Sequence, residues 1–198
     1  MFTHFTELVS SASGWAYAIV FLLSLLDAFL PVVPSETAVI TAGVVAAGGD
    51  LSLPLVILVG ACGAFAGDNI SYLIGQQFGR GVVDRFGGKK GRSRIEWAKR
   101  QLRERGVQLI LVGRFIPGGR TAVTLSAGLT AFPWRRFLPA DAAAALAWAV
   151  YAALLGYFGG RAFESAPWQG LLIALGTGFA LGGAVELGRH LRKRSADR

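Results

Sequence analysis

The sequence predicts an all-α membrane protein with about four transmembrane helices and two re-entrant helical hairpins related as an inverted repeat. Three observations predict this class. The 198 residues are 53% hydrophobic and only 16% charged, whereas soluble domains carry about 25% charged residues, and a chain this short cannot hide so much apolar surface inside itself. Four apolar stretches approach or exceed the ~20 residues that cross a bilayer. Two more are equally apolar but are interrupted by proline and carry charge.

The elements follow in chain order, within a single membrane domain over 1–198. Met1 to Ser11 is short and mildly amphipathic, suited to the membrane surface. It lacks a basic n-region and a small-residue cleavage site, so the first apolar run is expected to be retained. That run, Trp15 to Leu30, extends backward through Ser13 and forms the first span. Leu30 to Gly49 reads LPVVPSETAVITAGVVAAGG and is broken at Pro31 and Pro34. Proline removes a donor and clashes with the preceding turn, so 31–50 reads as a hairpin that dips in and returns. Leu53 to Phe78 is the second span, with Asp68 inside it.

Residues 81–106 form a basic connector. Arg80 to Arg105 holds ten Lys/Arg against three acids, +7 in one stretch. Ile95, Trp97, Ala98 and Leu102 give it an amphipathic helix, which fits either an anionic lipid surface or a solvated linker. Val107 to Ala131 is the second broken segment, with Pro117, Gly118 and Gly119 at the break. Irregular backbone at membrane depth is tolerated only where it is buried in protein or lines a wet cavity. Ala-rich Phe137 to Gly160 and Gly-rich Trp168 to Leu187 (about 167–188) complete the spans, and 189–198 is a basic tail.

Basic loops mark the cytoplasmic side. Placing Arg80 to Arg105, Arg135, Arg136 and the tail inside puts both termini inside. The hairpin at 31–50 then enters from outside and that at 107–131 from inside. The same rule, more than nucleic-acid binding, accounts for the net charge of +8.

The two halves, 12–80 and 107–161, echo each other. Pro34-Ser-Glu-Thr-Ala-Val with Ala42-Gly43 matches Pro117-Gly-Gly-Arg-Thr-Ala-Val with Ala127-Gly128. Tyr72, Gly75, Gly79 and Arg80 match Tyr151, Gly156, Gly160 and Arg161. Inverted repeats with broken helices place a transporter's site where the repeats meet.

Charge in hydrocarbon costs at least ~2.5 to 3.5 kcal/mol per residue, yet Asp27 and Glu36 flank the first break, Asp68 lies in a span, and Arg114 and Arg120 flank the second break. On a continuous helix the two arginines would stand about 9 Å apart and ~120° off-face. The Pro-Gly-Gly break lets them converge on one anion. Gly118 and Gly119 are expected to expose backbone N–H groups, and a helix starting near Thr121 points its positive end there. Arg114, Arg120, Gly118, Gly119 and Thr121 thus form a candidate phosphate cradle, with ion pairs to Asp27, Glu36 or Asp68 as the structural alternative. The acids can also carry protons or cations. For Asp68 a local contact with Asn69 or Ser71 is the simpler reading, and Asp141 and Glu186 are expected at the membrane edge.

Catalytic chemistry finds little support. His4 and His190 lie near the ends, no zinc or Gly-x-Ser-x-Gly motif occurs, and Cys62 has no partner cysteine. No enzyme activity, cofactor or metal is expected.

Three blocks resemble the DedA family, also described as the SNARE-associated or VTT-domain family: Asp27-Ala-Phe-Leu-Pro-Val-Val-Pro-Ser-Glu36, Gly67-Asp68 with Tyr72 and Gly75, and Gly113-Arg114-Phe-Ile-Pro117-Gly-Gly-Arg120-Thr121. The resemblance spans roughly 20 to 160. It departs at Asp27, where Glu is common, and at Ser35, where Gly is common. It implies functional positions at Asp27, Glu36, Arg114 and Arg120, a location in the bacterial plasma membrane, and handling of a lipid phosphate. The expected activity is translocation of undecaprenyl phosphate, possible alternatives being a proton- or cation-coupled solute transporter, a phospholipid scramblase or a non-transporting membrane organiser. The lipid bilayer and an anionic lipid or polyprenyl phosphate are the expected partners, nucleic acid is not, and a homo-oligomer is left open.

Overall fold

A computed structural model describes residues 2–30, 33–86, 88–116 and 118–162. Pro31, Pro117, the span expected at 167–188 and the tail 189–198 lie outside these residues. Among the described residues the chain is wholly helical, with six helices: α1 (Phe2–Leu26), α2 (Ser35–Ala47), α3 (Leu53–Phe86), α4 (Gly88–Gly113), α5 (Gly119–Leu129) and α6 (Trp134–Ala162).

Lengths sort the helices. Leu53–Gln77 of α3 and all of α6 are long and apolar enough to cross a membrane. Gly14–Leu26 is a shorter apolar helix that forms the C-terminal part of α1. The N-terminal segment, expected as a separate surface piece, instead continues directly into that helix. With 13 and 11 residues, α2 and α5 span only about 20 and 16 Å. Neither reaches the ~30 Å of a hydrocarbon core alone.

Local chemistry places the breaks. α1 ends at Leu26, and α2 begins after Pro34, whose missing N–H costs nothing at that position. α5 begins after Gly118, whose φ of +69° is left-handed and suits glycine. It ends in a Schellman turn: the Phe132 N–H donates to Ala127 O and the Ala131 N–H to Gly128 O. The basic connector is helical, as its amphipathic pattern predicts. α3 runs on to Phe86, and α4 carries through to Gly113 with a kink at Arg105, φ −137° and ψ 25°.

Packing joins each short helix to a long helix distant in sequence. α2 lies along α6, and α5 lies along α3. Both contacts use reciprocal glycines. A Cβ on Gly43 would strike Ala153 O, and one on Gly156 would strike Ile40 O. Likewise a Cβ on Gly128 would strike Tyr72 O, and one on Gly75 would strike Leu125 O. Without a hydrophobic force between helices in lipid, such small residues supply close van der Waals contact. α1 closes on α3 in the same manner, with Gly63 against Phe21 and Gly67 against Leu25.

The polarity of the molecule is inverted relative to a soluble domain. Trp15, Ile19, Leu22, Leu58, Val112 and Phe158 are each more than half exposed, while Asp68, Asp141, Arg114 and Arg120 are buried. Charges inside and large apolar side chains outside match a lipid solvent.

Gly128→Leu should therefore separate α5 from α3 and cost about 3 kcal/mol, read as a lower melting temperature of the detergent-solubilised protein. Gly14→Ala, with open space around it, should leave that temperature unchanged or slightly raised.

Candidate functional site

The two breaks meet at α3. Asp68, fully buried near the middle of α3, accepts hydrogen bonds from both arginines of the second break. Arg114 Nη1 stands 2.5 Å from Asp68 Oδ2, and Arg120 Nε 2.7 Å from Asp68 Oδ1. Arg120 reaches on to the first break, where Nη1 lies 2.9 Å from Asp27 Oδ2 and Nη2 donates to Ser24 O at 3.3 Å. Asp27 is held in turn by the Ser35 hydroxyl, 2.7 Å away. One chain of charge-assisted bonds thus ties α1, α2, α3 and the start of α5.

Hydroxyls knit the backbone around it. Ser71 and Thr121 both donate to Ala28 O, at 3.3 and 3.2 Å. The carbonyl freed where α1 stops is therefore satisfied by α3 and α5, as buried backbone groups demand.

Arg114 is the deeper arginine, its side chain only 2% exposed. Its guanidinium lies over Trp148 of α6, 5.3 Å from the ring centroid. Asp141 of α6 lies 3.7 Å from the same Nη1 that binds Asp68. Asp141 Oδ2 also accepts from Asn69 Nδ2 at 3.4 Å, and Asn69 Oδ1 accepts from Trp134 Nε1 at 3.1 Å. Arg114 Nε and Nη2 and the Ser24 hydroxyl are buried with no partner among the described residues.

The expected site residues are thereby sorted. Arg114, Arg120, Asp68 and Asp27 come together, and Asp68 pairs with both arginines rather than with Asn69 or Ser71. Glu36 does not join the pairs. It is exposed in the first turn of α2, favourable against the helix dipole. Gly118 turns the chain into α5. Gly119 departs from expectation: its N–H donates to Ile116 O at 2.9 Å and so is not open to an anion. Its missing side chain serves close packing instead, because a Cβ would lie 2.7 Å from Ile116 Cβ. Thr121 binds Ala28 O rather than an open cradle. Asp141, expected at the membrane edge, is 1% exposed inside the cluster. Its position seven residues into α6 pointed to the edge, and only the approach of Arg114 draws it inward.

Among the described residues no cluster of His, Cys, Asp and Glu could hold a metal. Chemically, the arrangement can hold an anion if an arginine gives up a carboxylate, or move a proton among three acids. Three carboxylates face two guanidinium groups, one negative charge in excess when all are ionised.

Residues 31–158 match the VTT-domain family model. The chain belongs to the VTT-domain (DedA) family. It is 35% identical to the inner membrane protein YohD of Escherichia coli K12, over 67% of each chain. It is 28% identical to Protein DedA of the same organism, over 98% of this chain and 91% of that one. It is 29% identical to undecaprenyl phosphate transporter A of Staphylococcus aureus, over 59% of this chain and 61% of the other. No solved structure matches. The family match covers both breaks' partners Asp68, Arg114 and Arg120 but begins after Asp27.

Removing the Asp68 charge leaves Arg120 with Asp27 alone and Arg114 with only the 3.7 Å approach of Asp141, and breaking a buried pair typically costs about 3–5 kcal/mol. Asp68→Asn should lower the melting temperature sharply or abolish recovery of folded protein. Glu36→Gln, on an exposed side chain, should leave it unchanged in the same assay.

Proposed function

We propose that this membrane protein translocates a lipid phosphate across the bacterial plasma membrane, with undecaprenyl phosphate as the favoured cargo. The observation that carries the reading is the buried Arg114–Asp68–Arg120–Asp27 chain linking two helix breaks. Two arginines at a glycine-containing break suit a phosphate, which guanidinium groups bind through paired N–H donors. The name of the Staphylococcus aureus relative supports that choice of cargo. The prenyl tail would remain in lipid while the headgroup exchanges with a carboxylate at Arg120. Asp27, the most exposed acid of the cluster at 21%, is the one that phosphate displaces.

In this reading four helices cross the membrane, and the breaks belong to two re-entrant segments entering from opposite faces, with both termini cytoplasmic. The matched glycine contacts of α2 on α6 and α5 on α3 support an inverted repeat. Each short helix would pack on the long helix of the other half, bringing the breaks together near the midplane. The carboxylates of the buried cluster would couple transport to protons.

Reconstitution tests the reading. Liposomes containing the protein should move fluorescent undecaprenyl phosphate between leaflets, and Arg120→Lys should slow this at least about tenfold, because lysine cannot serve Asp68, Asp27 and Ser24 at once. Equal rates at equal protein levels would sink the proposal. Movement of soluble phosphate without lipid would favour a solute transporter.

A further inference from the structure

We propose that Asp141 is the proton-carrying residue of the buried cluster, sharing a proton with Asp68 beneath Arg114 and so setting how tightly the arginines hold a phosphate. The inference rests on the lipid-phosphate reading for its ligand, but its charge argument stands on geometry alone. Neither the family match nor the motifs of the sequence single out Asp141.

Two carboxylates approach one nitrogen. Arg114 Nη1 bonds Asp68 at 2.5 Å and stands 3.7 Å from Asp141. The shorter contact is a hydrogen bond and the longer is not. Both acids are essentially inaccessible to solvent, at 0% and 1%. Like charges sharing a dry site cannot both remain ionised without sufficient cation, and one such carboxylate keeps a proton.

Among the described residues the surroundings of Asp141 supply no further cation. α3 brings Asp68 and Asn69, the second break brings Arg114, and α5 brings Arg120, which is already engaged by Asp68 and Asp27. α6 itself brings Trp148, stacked under Arg114. Lys99, Arg100 and Arg103 of α4 are exposed, and α2 meets α6 through Ile40 and Gly43, with Glu36 exposed at its start. With Asp141 protonated the five charged groups reduce to two carboxylates and two guanidinium groups, which balance.

Polar contacts lead from it toward the surface. Trp134 has only a donor to offer, so its bond to Asn69 Oδ1 turns the amide nitrogen toward Asp141. Trp134 is about half exposed at the first turn of α6, next to exposed Arg135 and Arg136. Asp141 is thus two side chains from the protein surface, whereas Asp68 sits behind both arginines.

The proton acts on the ligand through Arg114. Its Nε and Nη2 are buried without a partner among the described residues, a paired edge of the kind that grips two phosphate oxygens. A neutral Asp141 leaves that edge attractive to an anion. An ionised Asp141 adds a negative charge beside the same guanidinium and expels it. Uptake of a proton therefore accompanies phosphate binding, and loss of the proton accompanies release. No bond other than O–H forms or breaks. Asp141 acts here as a positioning residue, since it touches Arg114 and not the phosphate.

The test uses the full chain in lipid nanodiscs with farnesyl phosphate as probe. Farnesyl phosphate has its own second ionisation, which affects every protein alike, so the comparison between proteins isolates Asp141. Relative to Asp141→Asn, the wild type should lose at least about fivefold in affinity between about pH 6 and pH 8, within the tenfold per unit that one linked proton allows. Infrared spectra near neutral pH should show a protonated-carboxyl band in the wild type that is missing from Asp141→Asn. Asp141→Ser, also neutral and smaller, provides a second carboxyl-free protein should the amide fail to fold. Parallel pH profiles, or a band that persists in both variants, would overturn the proposal. Absence of binding to all proteins counts against the lipid-phosphate reading instead. The shared proton then stands if the band is lost with Asp141, and falls if it is not.

Discussion

Asp68 accepting from both Arg114 and Arg120 is the contact on which the rest of the site depends. A carboxylate alone in the middle of a membrane helix is a large cost, as are two arginines at a helix break. Brought together, each supplies the partner the other needs. A buried pair is nevertheless weak evidence of stability for its own sake, because well-packed apolar residues would often do as well. Here the paired charges stand at two broken helices, with donors on Arg114 and Ser24 unmet among the described residues. That combination favours a site that exchanges partners over a fixed structural bridge.

Close backbone packing makes this meeting possible. Gly75 and Gly128 let α5 lie directly against α3, which sets Arg120 at the first turn of α5 beside Asp68. Gly67 admits α1 next to α3, one residue from Asp68, and so delivers Asp27 and the Ala28 carbonyl. Glycine in a helix interior costs about 1 kcal/mol of helix propensity. The closeness of approach, and the charge network it allows, are what these glycines secure. The same devices recur where α2 meets α6, far from the charges. The architecture is therefore a set of interlocked short and long helices, with the charge network concentrated at one of the two interlocks.

The charge balance explains why the cluster suits exchange. One surplus carboxylate cannot be satisfied by the two guanidinium groups, so the site is poised between holding a proton and rejecting an anion. Asp27 is partly open to solvent and bonded by a serine as well as an arginine. It can release Arg120 without being left unpaired. Asp68 cannot, which separates an exchangeable partner from a permanent one.

Composition, broken apolar runs and the placement of charge identified a helical membrane protein, its two breaks and four of the residues at the site: Asp27, Asp68, Arg114 and Arg120. These are legible because hydrocarbon punishes proline and charge so heavily that their presence needs a reason, whatever the fold. The sequence by itself also marked Gly118 as a turn, since little else tolerates its backbone. It could not say which acid meets which arginine, because pairing across 46 and 52 residues depends on helix rotation and depth. It misplaced Asp141, whose burial follows from the approach of Arg114 and Asn69 and not from its neighbours in the chain. It joined Glu36 to the cluster from its place at the break and from the family resemblance, whereas that side chain is exposed in the first turn of α2. Only the tertiary structure decided these three points, because hydrophobic periodicity reports how deep a residue lies and not which buried partner it will face.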